Sequence, residues 1–564
     1  MRYSLLADIY EQLESTSGKL EKTDIISKLL KQTKPEFLEK VVLLLFGRVF
    51  FAWSQKELGV ANQLMIKAIS KSSGNSQKKI IEKFKELGDL GLVAKHFAGI
   101  KVQKILFKKE LFVQKVFENI EKIAQQSGPR SQDRKLNLIA ELLALADPKE
   151  SKYIVRTVLE ELRVGVAEGI LRDAIAKAFN ISPELVESAW SLNPDYGQIA
   201  EIAKSKGTTG LKKVKIELGR PMIMLLAEKA PDLKTAVESY KNCILEWKYD
   251  GMRCQCHKKG NHVWLYTRRL ENVTEQFPDL VKLCKNINAR ECIIEGETLA
   301  IDKKTGNPVP FQRLSQRIHR KYEIEQMTKE IPIQVNLFDI VYLNGKLLFD
   351  LPLKTRRAVL EKNITQAPGK FQLSHALITK DLKKAEQFYK QALQAGQEGL
   401  MVKNLDAKYV PGRKVAGGWL KVKPIMETLD LAIVGAIWGT GKRTGWLGSF
   451  ILACRDPDTG EFLECGMLGT GVKEKVTKPE DVTFEQMTEL LKEYIEFEKD
   501  NTVKIKPKIL IEVAYEEIQK SPTYDSGFAL RFPRFIKIRW ERSIWDVDTI
   551  ERVKHLYNIQ KGKK

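Results

Sequence analysis

The segment EWKYDGMR, residues 246–253, sets two carboxylates around an amine and follows them with a glycine and a guanidinium. On an extended strand Glu246, Lys248 and Asp250 emerge on one face, because side chains alternate with a period of two. Gly251 then permits a tight turn or the close approach of a ligand to the backbone. A lysine at a strand end beside a turn can project into a cleft as a nucleophile. Its ammonium must first lose a proton, which burial or neighbouring cations make easier. The plain alternative is a surface lysine beside a hairpin.

Lys-x-Asp-Gly-x-Arg resembles the first motif of the covalent nucleotidyltransferases, the family of DNA ligases, RNA ligases and mRNA capping enzymes. The resemblance implies that Lys248 attacks the α-phosphorus of ATP and forms a phosphoramidate, with Arg253 at the nucleotide. Glu246 falls where ligases of this type contact the adenine edge. A carboxylate there accepts from the 6-amino group and repels the 6-oxo group of guanine.

Further segments resemble later motifs of the same family in the same order. Arg268 in TRRLEN matches an arginine that meets the nucleotide or a 5′-phosphate, a task suited to a planar guanidinium. IIEGETL at 293–299 places Glu297 at a metal-associated carboxylate, with Glu295 on the same strand face. A cross-strand ion pair is the alternative for both. LFDIVY at 337–342 offers Phe338 to stack on adenine; outside this context it would be a core aromatic. EGLMVK at 398–403 implies Glu398 at the metal and Lys403 at the nucleotide phosphates. WLKVKP at 419–424 sets Lys421 and Lys423 on one strand face, suited to clamp an α-phosphate and to lower the pKa of Lys248, or else forming a solvated basic strand. LRFPRFIKIR at 530–539 resembles the last motif, with Arg531 and Arg534 as candidates for the β,γ-phosphates. Glu297 and Glu398 are the expected metal ligands, because hard carboxylate oxygens suit Mg²⁺ or Mn²⁺.

The elements that must hold these residues change character along the chain. Residues 1 to about 215 carry apolar residues at three and four spacing, as in FLEKVVLLLFGRVF and LNLIAELLALA, and read as an all-α domain. SLNPDYGQIA at 191–200 resembles a recurrent segment of the ligases' helical DNA-binding domain. Basic residues at 101–109, and Lys204, Lys206, Lys212, Lys213 and Lys215, suggest a surface that grips a nucleic-acid backbone. From 216 to 424 short alternating runs signal an α+β nucleotidyltransferase (adenylation) domain, with helices at about 275–287 and 382–395. From 425 to 564, LDLAIVGAIWG, GSFILACRD and EFLECGML predict a small β-barrel or sandwich, an OB-fold by resemblance, ending in a helix and a basic tail. Pro533 implies an irregular, non-central strand.

A formal charge of +22 over 564 residues favours a polyanionic partner. Cys254, Cys256 and His257 lack the spacing of a zinc site, and the seven cysteines read as thiols of a reducing compartment. Neither a signal peptide nor a transmembrane stretch is evident, so an intracellular, cytoplasmic monomer is expected, with no membrane association.

The whole chain resembles the ligases of archaea and the catalytic region of eukaryotic replicative ligases. That implies sealing of nicked double-stranded DNA through lysyl-AMP and a DNA-adenylate, in replication, repair and recombination, with a sliding clamp as a candidate recruiter. The alternation of adenylation and sealing implies rotation of the last domain about a hinge near 424–430. An RNA ligase is the nearest rival, and the long helical domain argues against it. A capping enzyme, an NAD-dependent ligase and a non-catalytic DNA-binding protein are further alternatives.

Overall fold

The computed structural model describes residues 1–51, 53–54, 56–100, 110–318, 320, 322–412, 418–424, 427–499 and 501–560. The basic run at 101–109, residues 425 and 426 of the expected hinge, and the tail lysines Lys561, Lys563 and Lys564 lie outside the described residues. The chain divides into two compact units. One comprises Met1–Ala230, Ala236–Lys380 and Val402–Leu420; the other comprises Pro231–Thr235, Asp381–Met401 and Lys421–Lys564.

The first unit opens with the all-α region, running from helix Tyr3–Ser15 to helix Tyr196–Lys212. Its helices turn leucine, isoleucine and valine stripes onto a common core that includes Leu6, Leu30, Leu44, Ile120, Leu142, Ile154 and Ile199. Burial of such side chains, each worth about 1.5–3 kcal/mol, holds these helices together. Starts are fixed locally: Asp147 and Glu150 form a capping box ahead of Pro148, and Ser182 caps the helix begun by Pro183. Of the basic residues near its end, Lys206, Lys212, Lys213 and Lys215 are exposed. Lys204 is not part of that surface. Its amine donates to the Leu30, Lys31 and Thr33 carbonyls, satisfying the C-terminal end of helix Lys19–Gln32.

The α+β region supplies strands β1 (Glu228–Lys229), β2 (Cys243–Lys248), β3 (Met252–Lys259), β4 (His262–Thr267), β5 (Glu291–Ala300), β6 (Ile333–Leu343), β7 (Lys346–Leu347), β8 (Phe371–Leu373), β9 (Ala376–Ile378), β10 (Gly399–Asn404) and β11 (Trp419–Val422). They form two sheets. One has the order β1-β11-β10-β2-β9; the other has the order β4-β3-β5-β6-β7, with β8 parallel to β6. The expected helix at 275–287 spans Pro278–Lys285 and the one at 382–395 spans Leu382–Gln394. Helices Phe311–Ile318, Ile324–Glu330 and Leu353–Asn363 add to these; the first two are only about two turns long, and the third carries many charges without a clear apolar stripe.

Along β3, Cys254 and Cys256 enter an apolar core with Leu265, Leu280 and Ile294. Gln255 and His257 point the other way, to the segment that leads out of the helical region. Gln255 exchanges hydrogen bonds with the Met222 backbone, and the Gly219 N–H donates to His257 Nδ1 at 3.4 Å. The thiols and the imidazole therefore lie on opposite faces.

The second unit contains β12 (Leu429–Trp438), β13 (Leu447–Arg455), β14 (Phe462–Leu468), β15 (Ile495–Lys499), β16 (Thr502–Ile505), β17 (Leu510–Ala514), β18 (Glu517–Lys520), β19 (Phe528–Arg531) and β20 (Arg534–Ile538). The sheet runs β14-β13-β12, and β12 then pairs with β16 along one stretch and β17 along another; β17 continues to β20. Bulges in the β12–β13 and β13–β14 ladders bend it. Thr470, just beyond β14, bridges Arg534, and the Phe535 N–H donates to the Thr470 carbonyl at 2.9 Å. That contact brings the ends together as a small barrel. Pro533 sits in the break between β19 and β20, where no ladder hydrogen bond is needed.

Candidate active site

Lys248 is the last residue of β2 and is half-buried. The turn that follows passes directly against β5: a Cβ at Gly251 would lie 2.5 Å from the Thr298 carbonyl oxygen and 3.1 Å from Glu297 Cγ. Only glycine allows that approach, which brings the chain after the lysine beside the carboxylate of Glu297, itself half-buried.

Two residues before Lys248, Glu246 is 2% exposed. Its Oε1 accepts from Arg357 Nη1 at 2.9 Å, and its Oε2 accepts from Lys403 Nζ at 2.7 Å. Lys403 also lies against two rings, 4.3 Å from the centroid of Phe338 and 4.0 Å from that of Trp419, which meet edge to face. Burial pulls the Lys403 amine below its ordinary pKa, and Glu246 opposes that pull. A carboxylate, an ammonium and two aromatic rings thus meet in one buried cluster, a set whose chemistry suits reading the edge of a planar base and stacking on it.

Arg253 borders the same rings, with its guanidinium carbon 5.4 Å from Phe338 and 5.3 Å from Trp419. Its Nη2 pairs with Glu295 at 2.8 Å, and its Nη1 donates to the Leu225 carbonyl at 2.6 Å. Glu295 is fully buried and also accepts from Tyr409 Oη at 2.8 Å. The cross-strand ion pair is therefore the role of Glu295, while Glu297, two residues on, has the more accessible carboxylate. Arg268 follows β4 in an exposed turn.

In the second unit Glu398 and Lys423 pair at 3.2 Å, and Lys423 also meets Glu516 at 3.1 Å. Burial lowers the Lys423 amine's pKa, but the two carboxylates outweigh it and hold the amine above its ordinary value. Gly399 makes the strand contact possible: at φ +140°, a Cβ there would sit 2.1 Å from the Val422 carbonyl oxygen. Lys421 is half-buried. Arg531 ends β19 and pairs across the ladder with Glu517 at 3.3 Å, while Arg534 is exposed at the start of β20.

Three residues of this buried cluster and its surroundings were not singled out in the sequence. Arg357 and Tyr409 carry no motif signal of their own. Trp419 stood inside WLKVKP, passed over for the lysines beside it.

Family models match the chain in three places: "DNA ligase N terminus" at residues 2–176, "ATP dependent DNA ligase domain" at 224–423 and "ATP dependent DNA ligase C terminal region" at 443–542. The chain belongs to the ATP-dependent DNA ligase family. A DNA ligase of Nanoarchaeum equitans (strain Kin4-M) is 51% identical over 100% of this chain and 99% of its own length. One of Thermococcus onnurineus (strain NA1) is 46% identical over 100% and 99%. The fold is also that of a solved structure named Pmar-Lig_PreS3, at TM-score 0.55 and 18% identity over 94% of this chain and 99% of that one. No described helix is long and apolar enough to cross a membrane.

Proposed function

We propose that this enzyme seals nicks in double-stranded DNA, with Lys248 as the nucleophile that carries AMP. The observation that carries this reading is the placement of Lys248 at the end of β2, whose Glu246 meets Lys403 in a buried cluster with Phe338 and Trp419. Adenine would stack against the rings, with Glu246 accepting from its 6-amino group. Neutral Lys248 Nζ attacks the α-phosphorus of ATP; a P–N bond forms, the P–O bond to the β-phosphate breaks, and pyrophosphate leaves. An oxygen of the DNA 5′-phosphate then attacks the same phosphorus, restoring the amine and giving a DNA-adenylate. The 3′-hydroxyl finally attacks the 5′-phosphorus and releases AMP. Each step is phosphoryl transfer, in which positioning and charge neutralisation supply most of the catalysis.

Arg253 and Arg268 would border the nucleotide and the nick phosphate. Lys403, Lys421 and Lys423 would meet the nucleotide phosphates, and Arg531 or Arg534 the departing pyrophosphate. Glu297 and Glu398 would each offer a carboxylate to Mg²⁺ or Mn²⁺. Among the described residues no cluster of three His, Cys, Asp or Glu side chains is poised for a metal. One or two carboxylates completed by substrate phosphates and water suit Mg²⁺, and a metal held there would supply polarisation of the phosphate. The reading divides the chain at 1–215, 216–424 and 425–564, with the last domain turning about the 424–430 segment between adenylation and sealing. A cross-link that fixed that domain yet left sealing unchanged would refute the rotation.

The test of the chemistry uses ATP labelled at the α-phosphate, followed by denaturing electrophoresis. The wild type should retain label and Lys248→Ala should not. An unlabelled wild type would leave a DNA-binding protein without catalysis. Nicked DNA against nicked RNA then separates a DNA ligase from an RNA ligase.

A further inference from the structure

We infer that Arg357 is a specificity-determining positioning residue: it fixes the carboxylate of Glu246 in the orientation that selects adenine. The inference rests on the reading of Glu246 as the residue that meets the adenine edge.

The geometry is unusual for a surface helix. Helix Leu353–Asn363 sends Arg357 inward until its Nη1 reaches Glu246 Oε1 at 2.9 Å. The guanidinium is itself held at three further points. Nη1 donates to Ser374 Oγ at 2.8 Å, Nη2 donates to the Ser374 carbonyl at 3.1 Å, and Nε pairs with Glu361 at 3.2 Å. Ser374 lies between β8 and β9, and β9 is the strand neighbour of β2, with Ala376 opposite Glu246. One planar group therefore ties the helix, the β8–β9 connection and the base-reading carboxylate together. A guanidinium suits this, because its fork has fixed directions and never loses its proton.

The other partner of Glu246 cannot do the same work. Lys403 is a single ammonium on a flexible stem, and the proposed reaction draws it toward phosphate. Once it turns away, Arg357 remains as the counter-charge of a carboxylate that is 2% exposed. Oε2 is then free to accept from adenine while Oε1 stays tethered. Arg357, with Glu361 and Ser374, also lines an open groove of about 760 Å³. Removing the guanidinium would release Oε1 and leave Glu246 less shielded from that groove.

The test compares ATP with purine riboside triphosphate, which lacks the 6-amino group, in formation of the labelled adenylyl-enzyme by the full-length protein. The wild type should prefer ATP in kcat/KM by at least about tenfold, the scale of one hydrogen bond to a buried charge. Glu246→Gln should reduce that ratio. Arg357→Met should bring it to within about threefold of unity, with kcat at saturating ATP changed far less than KM. Arg357→Lys, which can pair with Glu246 or with Ser374 but not both, should give an intermediate ratio. A circular-dichroism melt identifies the variants that fold. If every folded Arg357 variant keeps the wild-type ratio while Glu246→Gln loses it, the inference is overturned and the base-reading role of Glu246 stands. If the wild type makes no distinction between the two nucleotides, the base-reading role itself fails, and the inference with it.

Discussion

Glu246, Glu295 and Asp339 in the first unit are each at most 2% exposed, and each is closed by a fixed cationic partner: Arg357, Arg253 and Arg356. In the second unit Lys423 and Arg531 lean on glutamates that solvent also reaches, with side-chain exposures of 20% for Glu398, 55% for Glu516 and 15% for Glu517. The first arrangement is built before any substrate arrives and cannot be exchanged cheaply, because a buried charge that loses its partner costs several kcal/mol. The second is built to be exchanged, since a part-solvated pair contributes little. On the proposed roles, the base would meet a pre-organised site, while the phosphates and the metal would be met by trading one counter-charge for another.

Substitutions sharpen this contrast, and the largest effect concerns the proposed nucleophile. Lys248→Arg keeps the charge but not the titratable amine, so labelled adenylyl-enzyme should fall by at least about 10⁴-fold. Asp339→Asn strands the fully buried Arg356 and should cost about 3–5 kcal/mol in chemical denaturation. A cost near zero would break the view that the first unit's ion pairs are fixed. Glu398→Gln should lower adenylyl-enzyme formation by about 10²-fold and raise the Mg²⁺ concentration required, with little change in melting. Glu516→Gln, by releasing Lys423 from one of its two carboxylates, should shift the KM for ATP by no more than about fivefold. Glu517→Gln should move stability by less than about 1 kcal/mol, and a larger loss would place the Arg531 pair with the fixed ones.

The residues of the proposed site were easier to single out in the sequence than the residues that support them. Lys248, Glu297, Phe338 and Glu398 stood in motifs whose order could be followed, and the alternating runs around them became β2, β5, β6 and β10. Arg357 escaped because it lies in LKTRRAVLEKN, a charged helix without a clear apolar stripe, and its partner Glu246 is 111 residues away. Glu295 and Glu297 could not be told apart by strand alternation, which puts both on one face; only the packing of Tyr409 and Arg253 against Glu295 separates them. Lys204 counted as one more surface cation until the fold brought it beneath the end of a helix some 170 residues earlier. In each case a local pattern gave the element, and a distant partner gave the role.

His257 holds a further consequence. With the Gly219 N–H donating to Nδ1 and Gln255 Oε1 accepting from the Nε2–H, the hydrogen bonds suit the neutral imidazole, and burial pushes its pKa down to about 3. The unfolded chain would bind a proton there near the ordinary value of 6.5, and the folded chain refuses it. Stability is thus full above that value and drains away as pH falls toward 3. Mild acid should first loosen the seam where residues 217–222 are stitched to β3, so amide exchange in that stretch should quicken before the helical core yields.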